Sequence, residues 1–126
     1  SEINIKDYDF LVIPGGPYVS KTINDNEKIY KIINEFKDQN KLIAAICAAP
    51  RFLGRTGILD NLEYTAFPGS ENDIPLGIYL KNEKGNSVKN VITARSAGAV
   101  VEFSYHIIRA ILGENAAKNL LENIIF

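Results

Sequence analysis

No methionine occurs anywhere in this 126-residue sequence, and cysteine and histidine occur once each, as Cys47 and His106. A single cysteine excludes an intramolecular disulfide, and one cysteine with one histidine excludes the common zinc clusters. A lone thiol fits a reducing, cytoplasmic setting, because disulfides belong to oxidising compartments. Long apolar runs are absent too: nothing reaches the ~18 residues of a bilayer span, and no signal-peptide pattern opens the chain. Neither sign of charge dominates. Lys and Arg total 14 against 15 Asp and Glu, a formal net charge of −1, so no footprint points to nucleic acid or an anionic membrane. No zinc cluster, nucleic acid or membrane partner is expected on these grounds. The missing methionine leaves Ser1 as a residue exposed by methionine removal or as the start of a fragment; composition does not decide.

What is present is ordinary for one globular domain spanning residues 1–126, with 46% hydrophobic and 23% charged residues. Phe10-Leu11-Val12-Ile13 is a continuous apolar run closed by Pro14-Gly15-Gly16, the pattern of a buried parallel strand. Asn24 or Asp25 then predicts a cap for a helix with Ile29, Ile32, Ile33 and Phe36 on one face. Leu42-Ile43-Ala44-Ala45-Ile46 predicts a second buried strand, followed by Cys47 and a short helix opened by Pro50 and ended near Gly54 and Gly57. Short strands are expected from Glu63 to Phe67 and from Ile78 to Leu80, with residues 82–90 a polar turn. Val91-Ile92-Thr93-Ala94 predicts another strand. Beyond it, a helix carries Val100, Phe103, Ile107, Ala110 and Ile111 on one stripe and stops at Gly113. A last helix from Glu114 to about residue 123 should bury Ala117, Leu120, Leu121 and Ile124. Strands alternating with helices predict an α/β fold: a doubly wound, mostly parallel sheet with helices on both faces.

Ligands of such sheets bind beyond the carboxyl ends of the strands. Three turns meet that condition: Gly15-Gly16, Cys47-Ala48-Ala49 and Arg95-Ser96-Ala97-Gly98. The turn at Cys47 has the form of a nucleophile elbow, in which a sharp strand-to-helix bend lifts a reactive side chain out of the sheet. Its small neighbours Ala44, Ala45, Ala48 and Ala49 leave room for the bend. Backbone N–H groups there, together with one from Gly15 or Gly16, are placed to favour an anion. Against this stands the plain alternative that Cys47 is a small buried hydrophobe.

Three segments in order resemble the ThiJ/DJ-1/PfpI superfamily. They are Tyr8 through Gly16, Leu42 through Pro50, and Thr93 through Gly98 with Glu102-Phe103; Phe67-Pro68-Gly69 is similar as well. The resemblance implies a flavodoxin-like fold, commonly homodimeric, with Cys47 as nucleophile. It further implies Gly16 and Ala48 as anion-binding N–H donors and Arg95 as an arginine at the site edge. It implies cofactor-free chemistry on small reactive carbonyls, of the glyoxalase or deglycase kind. The alternative is redox sensing or chaperone-like protection under oxidative stress through oxidation of Cys47, and peptidase or amidase activity is a lesser option.

Departures from the pattern narrow these options. The peptidase branch has a histidine directly after the cysteine, where this chain has Ala48, and the amidotransferase-type His-x-Glu pair is missing. A histidine found in another branch, aligned near Leu76-Gly77-Ile78, is missing too. His106 reads as an exposed helix residue near a carboxylate, and Arg51 as a helix-surface charge. By resemblance, a preceding segment of some tens of residues supplies a central strand and an acidic residue for the cysteine. Without that strand the apolar runs would leave an edge unpaired. The expectation is therefore an incomplete sheet whose N-terminal part belongs to a longer protein or a docked separate chain.

Overall fold

The computed structural model describes residues 5–123. Its main sheet has the order β1-β2-β6-β5, built from β1 (Phe10–Ile13), β2 (Leu42–Ile46), β5 (Gly85–Val88) and β6 (Val91–Ala94). β1, β2 and β6 are mutually parallel, with Ile13 opposite Ala45 and Ile46 opposite Ala94; β5 runs antiparallel to β6. The carboxyl ends of the three parallel strands therefore share one edge, as the order of elements predicts. β3 (Glu63–Tyr64) and β4 (Ile78–Tyr79) form a separate two-stranded parallel ribbon, shorter than the expected strands.

Side chains alternate across the sheet. Ile13, Ile43 and Ala45 enter a core with Ile33 and Phe36 of α2 (Glu27–Asp38) and Phe52 and Leu53 of α3 (Pro50–Arg55). Ala44, Ile92 and Ala94 face the other way, onto Phe103 of α4 (Val100–Leu112). Helices thus cover both faces, and the flavodoxin-like architecture holds. α4 ends at Gly113, whose φ of 97° suits glycine. In α5 (Glu114–Asn123), Ala117 is buried as predicted; the side chains of Leu120 and Leu121, and all of Ile124, lie outside the described residues.

Five expectations need correction. The cap of α2 is Asn26, which accepts from the Ile29 N–H at 3.2 Å. Asp25 and Asn26 both donate to the Thr22 carbonyl, so the preceding residues close an unanticipated helix, α1 (Pro17–Thr22). Residues 85–88 are strand rather than polar turn; as an outer strand they need no apolar alternation, and only residues 89–90 turn, with Lys89 at φ 51°. β1 is less buried than its run suggests, since Phe10 and Val12 are 39% and 41% exposed. Among the described residues it pairs on one side only, and no helix covers that part of the α4 face. On α4 itself Val100, Ala110 and Ile111 are exposed, so the apolar stripe is buried only at Phe103 and partly at Ile107.

Candidate functional site

Cys47 stands where β2 gives way to α3, with φ 66°. A β-carbon strains that left-handed conformation, and such strain persists only where neighbours enforce it. They do so from two directions: the Cys47 N–H donates to the Ala94 carbonyl at 2.9 Å, and its carbonyl accepts from the Phe67 N–H at 2.8 Å. The elbow is clamped between the end of β6 and the loop after β3.

The loop after β1 presses against it. A β-carbon on Gly15 would lie 2.5 Å from Cys47 Cβ, 2.9 Å from the Ile46 carbonyl oxygen and 3.3 Å from Ala48 N. Only glycine fits there. Gly16 has φ 135° and ψ 172°, a region open to glycine almost alone. Among the described residues, the N–H groups of Gly16 and Ala48 donate no hydrogen bond. Both residues line an open cavity of about 620 Å³ together with Cys47, Ser20, Arg51, Phe67 and Asp73. Cys47 is half-buried at its wall. A smaller cavity, about 250 Å³, is lined by Lys37, Lys41 and Lys89 at the opposite ends of the strands and takes no part in this arrangement.

The cavity's charge comes from residues that sequence reasoning passed over. Arg51 Nε donates to Asp73 Oδ2 at 2.6 Å and its Nη1 to Ser20 Oγ at 2.7 Å. Arg55 holds the other carboxylate oxygen, Nε to Oδ1 at 2.8 Å. Burial alone would raise the Asp73 carboxyl, but the hydrogen bonds and charges of Arg51 and Arg55 prevail and hold it below its ordinary 3.8. The signal in the sequence was position: Arg51 follows Cys47 by four residues and is the second residue of the helix that Pro50 opens. Gly54 allows the same contact, since a β-carbon there would lie 2.4 Å from the Asp73 carbonyl oxygen.

Arg95 follows β6 on the same sheet edge but does not line this cavity. Its N–H donates to the Lys84 carbonyl at 2.9 Å, which ties it to the β5 hairpin. Leu76, Gly77 and Ile78 are likewise absent from the lining, and Phe67 and Pro68 occupy the wall instead. α3 has six residues, so the anion-favouring feature here is the pair of free N–H groups, not a long helix dipole. His106 lies away from the cavity on α4, half-buried rather than exposed, with Nδ1 3.1 Å from Arg109 Nη2. Among the described residues no group of three or more acidic, histidine or cysteine side chains is placed to hold a metal, and no helix is long and apolar enough to cross a membrane.

Residues 1–110 match the DJ-1/PfpI family. The chain belongs to that family. A Mycoplasma genitalium protein is 35% identical over 130 residues, covering 98% of this chain and 66% of its own length. The Danio rerio Parkinson disease protein 7 homolog is 29% identical, covering 90% of this chain and 61% of its own length. A DJ-1 superfamily protein from Salmonella typhimurium superposes with a TM-score of 0.83 at 25% identity, over 94% of this chain and 65% of that one. Drosophila melanogaster DJ-1beta shares the fold, with a TM-score of 0.82 at 24% identity over 94% of this chain and 64% of that one. The chain spans 57–66% of the length of the first three curated relatives it matches.

Proposed function

We propose that this protein is a cysteine-dependent, cofactor-free enzyme acting on small α-oxoaldehydes. The observation that carries the reading is the strained elbow at Cys47 beside the unused N–H groups of Gly16 and Ala48. The Cys47 thiolate adds to the aldehyde carbon, forming a C–S bond, and the carbonyl π pair becomes an oxyanion that those two N–H groups receive. The adjacent ketone is then reduced as the former aldehyde carbon is oxidised. Water releases a 2-hydroxy acid and returns the thiol. Oxidation and reduction balance within the substrate, so no external oxidant or reductant enters.

The proton moved between the two carbons needs a base. Among the described residues lining the cavity, Asp73 is the only carboxylate, and guanidinium groups hold both its oxygens. We therefore assign the base to a carboxylate outside the described residues. Cys47→Ser should abolish methylglyoxal consumption, followed by loss of the dicarbonyl and appearance of lactate. Turnover that survives the change would sink the mechanism.

A half-buried, unpaired thiol beside two free donors also suits the alternative, oxidation of Cys47 to a sulfinate held by those N–H groups. Intact mass after mild peroxide separates the readings. A stable gain of two oxygens on Cys47 without carbonyl turnover favours the sensor.

A further inference from the structure

Two guanidinium groups share one carboxylate beside Cys47, and the count leaves one positive charge over. Asp73 is satisfied at both oxygens, Oδ2 by Arg51 and Oδ1 by Arg55. A guanidinium carries five N–H donors. Arg51 places Nε on Asp73 and Nη1 on Ser20. Its side chain is 19% exposed and that of Asp73 13%, so neither the charge nor its fork is dispersed in bulk solvent. Ser20 and Asp73 brace the fork from two sides, and all three residues line the cavity that holds Cys47.

Other charges do not cancel this one. Glu71, the nearest further carboxylate in the sequence, is exposed and does not line the cavity; its Oε1 accepts from the Gly69 N–H at 2.7 Å. Arg51 lines the same space as the thiol, and the trio's one net positive charge is shared between it and Arg55, which is 41% exposed and does not line the cavity. A planar donor fork suits carboxylate or phosphate oxygens better than a neutral group.

We propose that Arg51, braced by Ser20 and Asp73, is an anion-binding subsite, and that the preferred substrates are α-oxoaldehydes bearing a carboxylate or phosphate. The substrate class rests on the carbonyl reading above; the subsite itself does not. An anionic tail bound at Arg51 directs the reactive carbon to the thiol four residues earlier. Neutral dicarbonyls lack that hold.

The test compares alkylation of Cys47 by iodoacetate and by iodoacetamide. Both form an S–C bond with loss of iodide, and the reagents differ by one negative charge. The iodoacetate-to-iodoacetamide rate ratio should be about tenfold higher in the native protein than in the same protein unfolded in urea. Arg51→Gln should return the ratio to the unfolded value. Asp73→Asn should raise it, a change that unfolding cannot mimic. Equal ratios in native and unfolded protein, or no response to either substitution, overturn the proposal. Loss of methylglyoxal turnover alone would overturn only the carbonyl reading, because the alkylation ratio needs no catalysis.

Discussion

Gly15 shows how one missing atom shapes this site. Its α-carbon sits so close to the elbow that a methyl group would overlap Cys47 Cβ at 2.5 Å and the Ile46 carbonyl oxygen at 2.9 Å. One of those contacts is backbone within β2 and cannot swing aside, so the loop after β1 would have to retreat. Overpacking of this kind costs about 1–3 kcal/mol. Gly15→Ala should therefore lower the urea midpoint, and it should also change the rate at which iodoacetamide alkylates Cys47. A variant with unaltered stability and alkylation rate would contradict the close approach. The neighbouring Gly16 differs in kind: a β-carbon there meets only the Tyr18 ring, at 3.5 Å, and φ of 135° is what excludes other residues.

At the scale of elements, α4 packing on β5 buries an ionisable group outside the site. A β-carbon on Gly85 would touch His106 Cδ2 at 3.2 Å, so the imidazole lies over the strand. Burial first, then the Arg109 charge, push His106 below its ordinary 6.5, with Glu102 opposing them. Guanidinium donates and never accepts, so Nδ1 accepts from Arg109 and the neutral ring carries its proton on Nε2. The unfolded chain therefore binds more protons here than the folded one. Stability tied to this histidine is complete above 6.5 and is lost as pH falls from that value toward the lower folded pKa. His106→Gln should flatten the dependence of the urea midpoint on pH between about 7 and about 5. A steeper dependence in the variant would reverse the assigned sign. This contact was invisible in the sequence, because it needs β5, and the polar residues 85–88 carry no strand period. The parallel strands were legible for the opposite reason: β2 is a continuous apolar run and β6 is apolar but for Thr93, and a run ending at a small-residue turn announces a sheet edge. The positions of Cys47, Gly16 and Ala48 at that edge were legible with them. Arg51 and Asp73, 22 residues apart, meet only through packing of α3 on the loop before β4.

The whole molecule has an asymmetry that the site depends on. Among the described residues, β5 closes one side of the sheet with a polar strand, whereas β1 ends the other with Phe10 and Val12, 39% and 41% exposed. An exposed apolar edge strand invites pairing. The loop that follows this strand packs Gly15 against Cys47 and places Gly16 in the same cavity, so whatever steadies β1 also steadies the backbone around the thiol. The relatives are longer than this chain by roughly the size of a strand–helix unit or more. We propose that a strand from a segment of the same protein outside residues 5–123 pairs with the free edge of β1 and covers Phe10 and Val12. Hydrogen exchange read by mass spectrometry tests this on residues 10–13, using the longest polypeptide that carries these residues beside the 126-residue chain alone. Amides of β1 should be as protected as those of β2 in the longer polypeptide and less protected in the shorter one. Equal, rapid exchange in both would remove the proposed strand. Protection of the shorter chain that grows with its concentration would instead place a second copy on that edge, and would overturn the assignment to the same polypeptide.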